Sequence, residues 1–173
     1  MTASGKQQIL GQGKHLRLVA RDGWEYAERS IASGAVVIVA ITAEQKLLLV
    51  EQDRLPVNGR VLELPAGLVG DIPGDEQEQW LDAARRELLE ETGYSARSAK
   101  LLTQGPISAG FGNEMITFVR ATGLKKVSAG GGVEHEQIVI HEVPLERVPA
   151  WLKRQQKRGL LIDPKIYAGL YFV

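Results

Sequence analysis

The segment from residue 34 to residue 41 constrains the fold most strongly. It reads GAVVIVAI and contains no polar side chain. A short continuous apolar run that is rich in β-branched residues is typical of a strand buried on both faces. The chain then turns at residues 43–46, and residues 47–52 return as the predicted partner of this strand. Residues 60–64, RVLEL, predict one more short strand, which ends at Pro65.

The rest of the chain alternates between predicted strands and predicted helices. Residues 8–30 predict two short strands joined at residues 21–23. Further strands are predicted at residues 99–104, 114–121 and 136–143. Helices are predicted at about 76–92, at 144–158 and at 164–172, and the first should end at Gly93, since glycine favours the left-handed conformation there. Most strands fall in short antiparallel-like runs, so the expected class is α+β, a mixed α/β sandwich.

Length and composition exclude several classes of function. A chain of 173 residues suits one domain, spanning residues 1–173. Lys+Arg and Asp+Glu each number 21, so the chain lacks the basic field that nucleic-acid binders use. The absence of cysteine excludes disulfides, thiolate metal sites and a cysteine nucleophile, and any metal should have oxygen ligands. No apolar run approaches the roughly 20 residues of a membrane helix. No signal peptide is evident either, so we expect no membrane contact and a cytoplasmic location.

Acidic residues crowd the end of the first predicted helix, where residues 86–91 read RELLEE. Glu87, Glu90 and Glu91 are three and four residues apart, so their carboxylates share one helix face. Like charges at this spacing each cost a few tenths of a kcal/mol. A divalent cation such as Mg²⁺ or Mn²⁺ would remove that repulsion. A solvated acidic helix face would show the same spacing, so the spacing alone leaves both interpretations open.

The string from Arg86 to Gly93 resembles the second half of the Nudix box, REUxEExG, where U is an apolar residue. Every fixed position matches. Glu78 falls at the position of an earlier glutamate of the box, but the glycine expected at position 72 is Ile72. The nearest equivalent is Gly67, which implies about five extra residues in the loop that precedes Glu78.

Four other segments resemble the ADP-ribose and nucleoside-diphosphate-sugar branch of the Nudix hydrolases. They are WE at 24–25, VEQDR at 50–54, ELPAG at 63–67 and GLLID at 159–163. The resemblance implies a Nudix fold with a mixed sheet between helices. It also implies an N-terminal antiparallel strand extension, over about residues 1–33, that forms a homodimer. The implied activity is Mg²⁺-dependent hydrolysis of the pyrophosphate bond of a nucleoside diphosphate sugar, with Mn²⁺ as the other candidate metal.

The same resemblance implies roles for individual residues. The implied metal ligands are the carbonyl of Ala66 and the carboxylates of Glu87, Glu90, Glu91 and Glu136. The implied catalytic residues are Glu134, as the base, with Glu87 and Glu91. The implied substrate-binding residues are Arg54 at the phosphates, Trp24 at the nucleobase, Glu114 and Arg86.

Several alternatives stay open. Glu134 and Glu136 could exchange roles, and Glu114 is the second choice of base. Arg86 should orient a neighbouring carboxylate, and Glu78 should be structural, through an ion pair with Arg86 or Arg85. ADP-ribose is the first candidate substrate, and GDP-mannose or another sugar nucleotide is the second. A silent domain that binds a nucleotide and regulates a partner, or an interaction module without metal affinity, is the competing class.

Overall fold

The computed structural model describes residues 5–30, 34–72, 74–132 and 137–173. Its strands are β1 Gln8–Gln12, β2 Leu16–Arg21, β3 Trp24–Arg29, β4 Gly34–Ala40, β5 Lys46–Arg54, β6 Gly59–Glu63, β7 Ala66–Val69, β8 Tyr94–Pro106, β9 Met115–Lys126, β10 Val139–Pro144 and β11 Leu161–Ile162. Its helices are α1 Trp80–Thr92, α2 Val148–Lys157 and α3 Lys165–Leu170. The α+β class is confirmed.

Strand β4 lies at the centre of the fold, as its apolar run predicts. It pairs antiparallel with β7 and parallel with β9, in a sheet ordered β7-β4-β9-β8. Successive side chains of a strand point to opposite faces. Val37 and Val39 therefore enter one core cluster, and Val36 and Ile38 enter another. All four are essentially inaccessible to water, so both faces of the strand are covered.

The helices complete these two cores. A second sheet, ordered β10-β5-β6-β11, contributes with α2 and α3 to the cluster around Val37. Helix α1 packs on the opposite face through Ala84 and Leu88, which are one helical turn apart. Full burial of Leu88 is worth about 1.5–3 kcal/mol. The helix ends at Gly93, whose φ of 72° and N–H bond to the Leu89 carbonyl match the predicted left-handed cap.

The N-terminal strands form a separate three-stranded antiparallel sheet ordered β1-β2-β3. It joins the rest of the chain through the segment between β8 and β9. The Ala27 N–H donates to the Phe111 carbonyl at 2.8 Å, and Ala27 pairs with Gly112. Ile9 and Leu18 remain about half exposed on this sheet.

The structure corrects several element predictions. Residues 8–30 form three strands rather than two, because a tight turn, with the Gly13 N–H bonded to the Leu16 carbonyl, separates β1 from β2. Helix α1 begins at Trp80 rather than near residue 76, since the preceding residues form turns such as Glu78 N–H to the Asp75 carbonyl. Strands β7 and β11 were not predicted. The predicted pairing of residues 47–52 with β4 is wrong, because β5 pairs with β6 and β10 in the second sheet and meets the end of the 34–41 segment only at a bridge between Ile41 and Leu47. Among the described residues, no helix combines the length and apolar character needed to cross a bilayer.

Candidate active site

A cleft of about 430 Å³ opens where α1 meets the start of β7. This volume falls within the range of small-molecule binding sites, roughly 300–1,000 Å³. Its charged lining residues are Arg29, Arg54, Glu63, Asp71, Glu87, Glu91, Glu114 and Lys165. Five carboxylates against three cations leave a formal charge of −2 in the cleft. An anionic substrate would therefore need an additional cation to bind here.

Glu87 lies against the backbone of Gly67. A Cβ at position 67 would overlap the Glu87 carboxyl group, so the absence of a side chain at Gly67 leaves that group its space. Burial raises the pKa of Glu87 to about 7, although the neighbouring Arg86 acts in the opposite direction. Burial disfavours a charged carboxylate, and a bound cation would favour it. A cation bound beside Glu87 would therefore lower the pKa of this carboxyl group.

Glu91 connects α1 to the first residue of β7. Its Oε2 accepts a hydrogen bond from the Ala66 N–H at 3.0 Å, and only 5% of the residue is exposed. The bond brings Glu91 to the residue whose carbonyl is an expected metal ligand. Two expected ligands from segments 25 residues apart thus lie together.

Arg86 fixes the acidic face of the helix. Its Nε and Nη2 donate to the two carboxylate oxygens of Glu78 at 2.9 and 3.0 Å, a bidentate ion pair. Its Nη1 donates to Glu87 at 2.7 Å and to Glu90 at 3.3 Å, and its Nη2 reaches the Leu68 carbonyl. The ion pair between Glu78 and Arg86 is confirmed, and Arg86 orients a neighbouring carboxylate as expected.

The hydrogen bonds of Arg86 alter the pKa of both partners. They hold the pKa of Glu78 below its usual value and raise that of Arg86 itself. Both groups therefore stay charged at neutral pH. The arginine links the turn before α1 to the helix through charge-assisted bonds, the stronger class of hydrogen bond.

The acidic residues fit a hard cation by their chemistry. Within the four described stretches, no three Asp, Glu or His side chains converge tightly enough to form a ready metal site. Glu90 bonds to Arg86 and is not among the residues that line the cleft, and Glu136 lies outside the described residues. The carboxylates of Glu87 and Glu91 and the backbone of Ala66 still provide the oxygen donors that Mg²⁺ prefers. The negative charge of the cleft would favour such an ion.

Two cations of the cleft lie on its β-sheet side. The Arg54 Nε donates to Glu63 at 2.8 Å, and burial raises the pKa of Glu63 while Arg54 lowers it. Lys165, at the start of α3, forms an ion pair with Asp163. Sequence reasoning predicted Arg54 but missed Lys165. Lys165 lies two residues after the GLLID segment, which belongs to the family resemblance, and this position could have indicated a site residue.

The N-terminal sheet supplies a third cation, which sequence reasoning also missed. Arg29, the last residue of β3, forms an ion pair with Glu114, and both residues line the cleft. Trp24 is five residues earlier on the same strand, and its side chain leaves from the opposite face. Trp24 is 66% exposed and is not among the residues that line the cleft.

The predicted base and its neighbour, Glu134 and Glu136, lie outside the described residues. The residues just before them do bond to the end of α1. The Gly131 N–H donates to the Glu91 carbonyl at 2.9 Å, and the Gly132 N–H donates to the Glu90 carbonyl at 3.1 Å. The chain therefore enters this segment from the carboxylate-bearing end of the helix.

The sequence model of the NUDIX domain matches residues 32–163. This stretch contains helix α1, the GLLID turn and all the residues that line the cleft except Arg29 and Lys165. The chain belongs to the Nudix family. Its fold agrees with a crystal structure of an ADP compounds hydrolase, with a TM-score of 0.68 over 86% of this chain and 80% of that chain. At 23% identity, that likeness shows the fold alone.

Three curated relatives lie closer in sequence. The ADP-ribose pyrophosphatase of Bacillus subtilis is 33% identical over 96% of this chain and 89% of its own length. The GDP-mannose pyrophosphatase of Citrobacter koseri is 32% identical over 76% of this chain and 72% of its own length. The methanol dehydrogenase activator of Bacillus methanolicus is 34% identical over 71% of this chain, and the match covers only 64% of the length of the activator. These similarities confirm the predicted branch of the family.

Proposed function

We propose that this chain hydrolyses the pyrophosphate bond of a nucleoside diphosphate sugar to a nucleoside monophosphate and a sugar phosphate. The observation that carries the proposal is the cleft that unites Glu87, Glu91 and the Ala66 backbone with Arg54. ADP-ribose is the first candidate substrate, because the relative that bears its name matches nearly the whole chain. GDP-mannose is the second, since relatives named for it match about three quarters of the chain.

The proposed metal ligands are Glu87, Glu91 and the Ala66 carbonyl, with Glu90 and Glu136 as further ligands. A bound Mg²⁺ or Mn²⁺ would offset the charge of the phosphates and lower the pKa of a water molecule. The buried Glu91 is fixed by its bond to Ala66, and this preorganisation reduces the cost of ordering a ligand.

Glu134 is the proposed general base, which takes the proton from the attacking water. The attachment of Gly131 and Gly132 to the end of α1 supports this assignment, because it brings the preceding backbone to the metal-binding carboxylates. Glu114 is the second candidate for the base. Its ion pair with Arg29 engages it in the described structure, which favours Glu134.

Arg54 is the proposed phosphate contact. A guanidinium carries five N–H donors, and the bond to Glu63 uses one of them. Arg86 acts on substrate only through the carboxylates that it orients. The N-terminal extension, residues 1–33, is the proposed dimerisation element, supported by the exposed apolar residues of its described part. The resemblance assigns Trp24 to the nucleobase across such a dimer, so that role depends on a partner copy.

A phosphate-release assay with excess phosphatase tests the proposal. It compares ADP-ribose, GDP-mannose, UDP-glucose and diadenosine polyphosphates, whose phosphates the phosphatase cannot release by itself, each with Mg²⁺ and with Mn²⁺. Nucleoside triphosphates, which phosphatase attacks directly, are tested without it, and their products are separated by chromatography. We expect metal-dependent turnover of a sugar nucleotide, reduced at least about 100-fold by Glu91→Gln. Glu146→Gln is the matched control, since the Glu146 side chain is 72% exposed and is not among the residues that line the cleft, and it should keep wild-type activity. If the wild-type chain turns over none of these compounds, the proposal fails and a silent nucleotide-binding domain replaces it.

A further inference from the structure

Gln52 is a buried, uncharged polar side chain in a cleft whose other polar side chains are charged. It lies on β5, and only 8% of the residue is exposed. It lines the cleft, and no other uncharged polar side chain of the described residues does so. The proposed metal ligands, base and phosphate contact do not include it. Its amide therefore needs a separate explanation.

The hydrogen bonds of the cleft leave Gln52 without a partner. Every charged residue that lines the cleft has an ion pair or a hydrogen bond within the chain: Arg29 with Glu114, Arg54 with Glu63, Lys165 with Asp163, Glu87 and Asp71 with Arg86, and Glu91 with the Ala66 N–H. Over the described stretches of the chain, the side-chain amide of Gln52 neither donates nor accepts a hydrogen bond. A buried amide without a partner costs free energy, because it loses hydrogen bonds to water and gains none in return. A group that enters the cleft can supply the missing bonds.

The position of Gln52 indicates which part of a substrate it meets. Gln52 and Arg54 are two residues apart on β5, so their side chains leave the same face of the strand, about 7 Å apart. Arg54 is the proposed phosphate contact. The carboxylates of the proposed metal site belong to α1 instead. Gln52 is thus placed to meet a group that is joined directly to a phosphate.

The chemistry of the amide selects a hydroxyl group. A glutamine side chain has two N–H donors and one acceptor oxygen. A phosphate oxygen only accepts, and the cations Arg54 and Lys165 form stronger, charge-assisted bonds with it. A sugar hydroxyl both donates and accepts, so one amide can satisfy it. The sugars of a sugar nucleotide are bonded to the diphosphate itself, whereas the nucleobase is separated from it by a ribose.

We propose that Gln52 binds a sugar hydroxyl of the substrate and makes the site selective for diphosphates that carry a sugar. The proposal rests on the proposed function for the placement of the diphosphate beside Arg54. A ligand without the hydroxyl leaves the buried amide unpaired, and a site of this kind discriminates against such a ligand. The free chain bears the cost of the unpaired amide, so Gln52 serves binding at the expense of stability.

Binding by Gln52→Met tests the proposal, because methionine keeps the length of the side chain and removes its donors and its acceptor. Calorimetry with Mg²⁺ measures the Kd for AMP, ribose 5-phosphate and methylenediphosphonate. The first two each carry one sugar, and the third is a diphosphate analogue without a sugar. Gln52→Met should raise the Kd of at least one sugar phosphate about 5- to 50-fold and leave methylenediphosphonate within about twofold. The sugar phosphate that weakens more identifies which sugar bears the hydroxyl.

Kinetics and stability separate this role from a structural one. Gln52→Met should raise the KM for the sugar nucleotide by a similar factor and leave kcat within about threefold. Its melting temperature should equal or exceed that of the wild type, since an apolar side chain replaces an unpaired buried amide. Gln156→Met is the matched control, because Gln156 is exposed on α2 and does not line the cleft, and it should change neither binding nor turnover.

Four results would overturn the proposal. An equal loss of methylenediphosphonate binding would make Gln52 a phosphate contact. A loss of kcat at an unchanged KM would indicate that it orients the attacking water. A lower melting temperature together with the loss of binding would make it structural. A wild-type chain that binds neither sugar phosphate would also contradict it. Absence of wild-type turnover refutes the proposed function instead, because the Kd values judge Gln52 separately.

Discussion

Replacing Arg86 with alanine should destabilise the chain far more than a surface arginine substitution does. The change leaves two carboxylates without their cation, and the side chains of Glu78 and Glu87 are only 5% and 13% exposed. Removal of one partner from a buried ion pair costs about 3–5 kcal/mol. Arg86 is itself about one fifth exposed, so water partly replaces it, and we expect a loss of about 2–4 kcal/mol.

The neighbouring residue provides the matched control. Arg85 forms an i,i+3 ion pair with Asp82 in which both side chains are well exposed, so Arg85→Ala should cost less than about 1 kcal/mol. Arg86→Met keeps the packing of the stem without the charge, so a loss close to that of Arg86→Ala would assign the effect to the ion pairs.

Urea denaturation followed by tryptophan fluorescence gives the free energy of unfolding for each variant. A parallel thermal scan should show a melting temperature about 5–15 °C lower for Arg86→Ala. If Arg86→Ala and Arg85→Ala differ by less than about 1 kcal/mol, the network of Arg86 does not stabilise the fold and this reasoning is wrong.

Three further predictions concern other parts of the chain. The Tyr94 hydroxyl donates to Glu142 at 2.6 Å and holds the pKa of that carboxyl below its usual value. This bond therefore stabilises the folded chain at neutral pH, and the stabilisation is lost as the pH falls through the lowered pKa of Glu142. Tyr94→Phe should cost about 1 kcal/mol at pH 7 and less at pH 3, as thermal scans at both values will show. Gly130→Ala should lower the free energy of unfolding by about 2 kcal/mol or more, because the new Cβ would overlap the backbone at the end of α1 and the φ of 69° strains an alanine. A Cβ at Gly105 meets open space, so Gly105→Ala should change the free energy of unfolding little in the same denaturation assay. Gly67→Ala should displace the carboxylate beside it and lower kcat about 100-fold, with an unchanged far-ultraviolet spectrum as the control for folding.

Local sequence patterns predicted the elements that define the core. The run at β4 is buried on both faces, and the alternation of its side chains explains both cores. The end of α1 was predictable from Gly93. The start of α1 was not, since residues 76–79 carry helix-compatible side chains but form turns. Strand β1 was merged with β2 because its QILGQ sequence is exposed throughout and gives no alternating signal.

The candidate site likewise contains residues that the sequence predicted and residues that it did not. Glu87, Glu91 and Arg54 belong to motifs that are continuous in sequence, and the structure brings them into one cleft. Arg29 reaches the cleft only because the segment between β8 and β9 bonds to β3, more than 80 residues away in sequence. No local pattern reports a contact of that kind. The proposed role of Trp24 was inferred from the WE motif alone, and its position on β3 turns it away from the cleft.

Phosphorus NMR of sugar nucleotide hydrolysis tests the central claim most directly. ADP-ribose and GDP-mannose, each incubated with the wild-type chain and Mg²⁺, should lose their pyrophosphate resonances. Two phosphomonoester resonances in equal amounts should replace them, one from the nucleoside monophosphate and one from the sugar phosphate. Pyrophosphate resonances that persist for both substrates with Mg²⁺ and Mn²⁺, or a product with a single phosphorus resonance, would contradict hydrolysis at this bond.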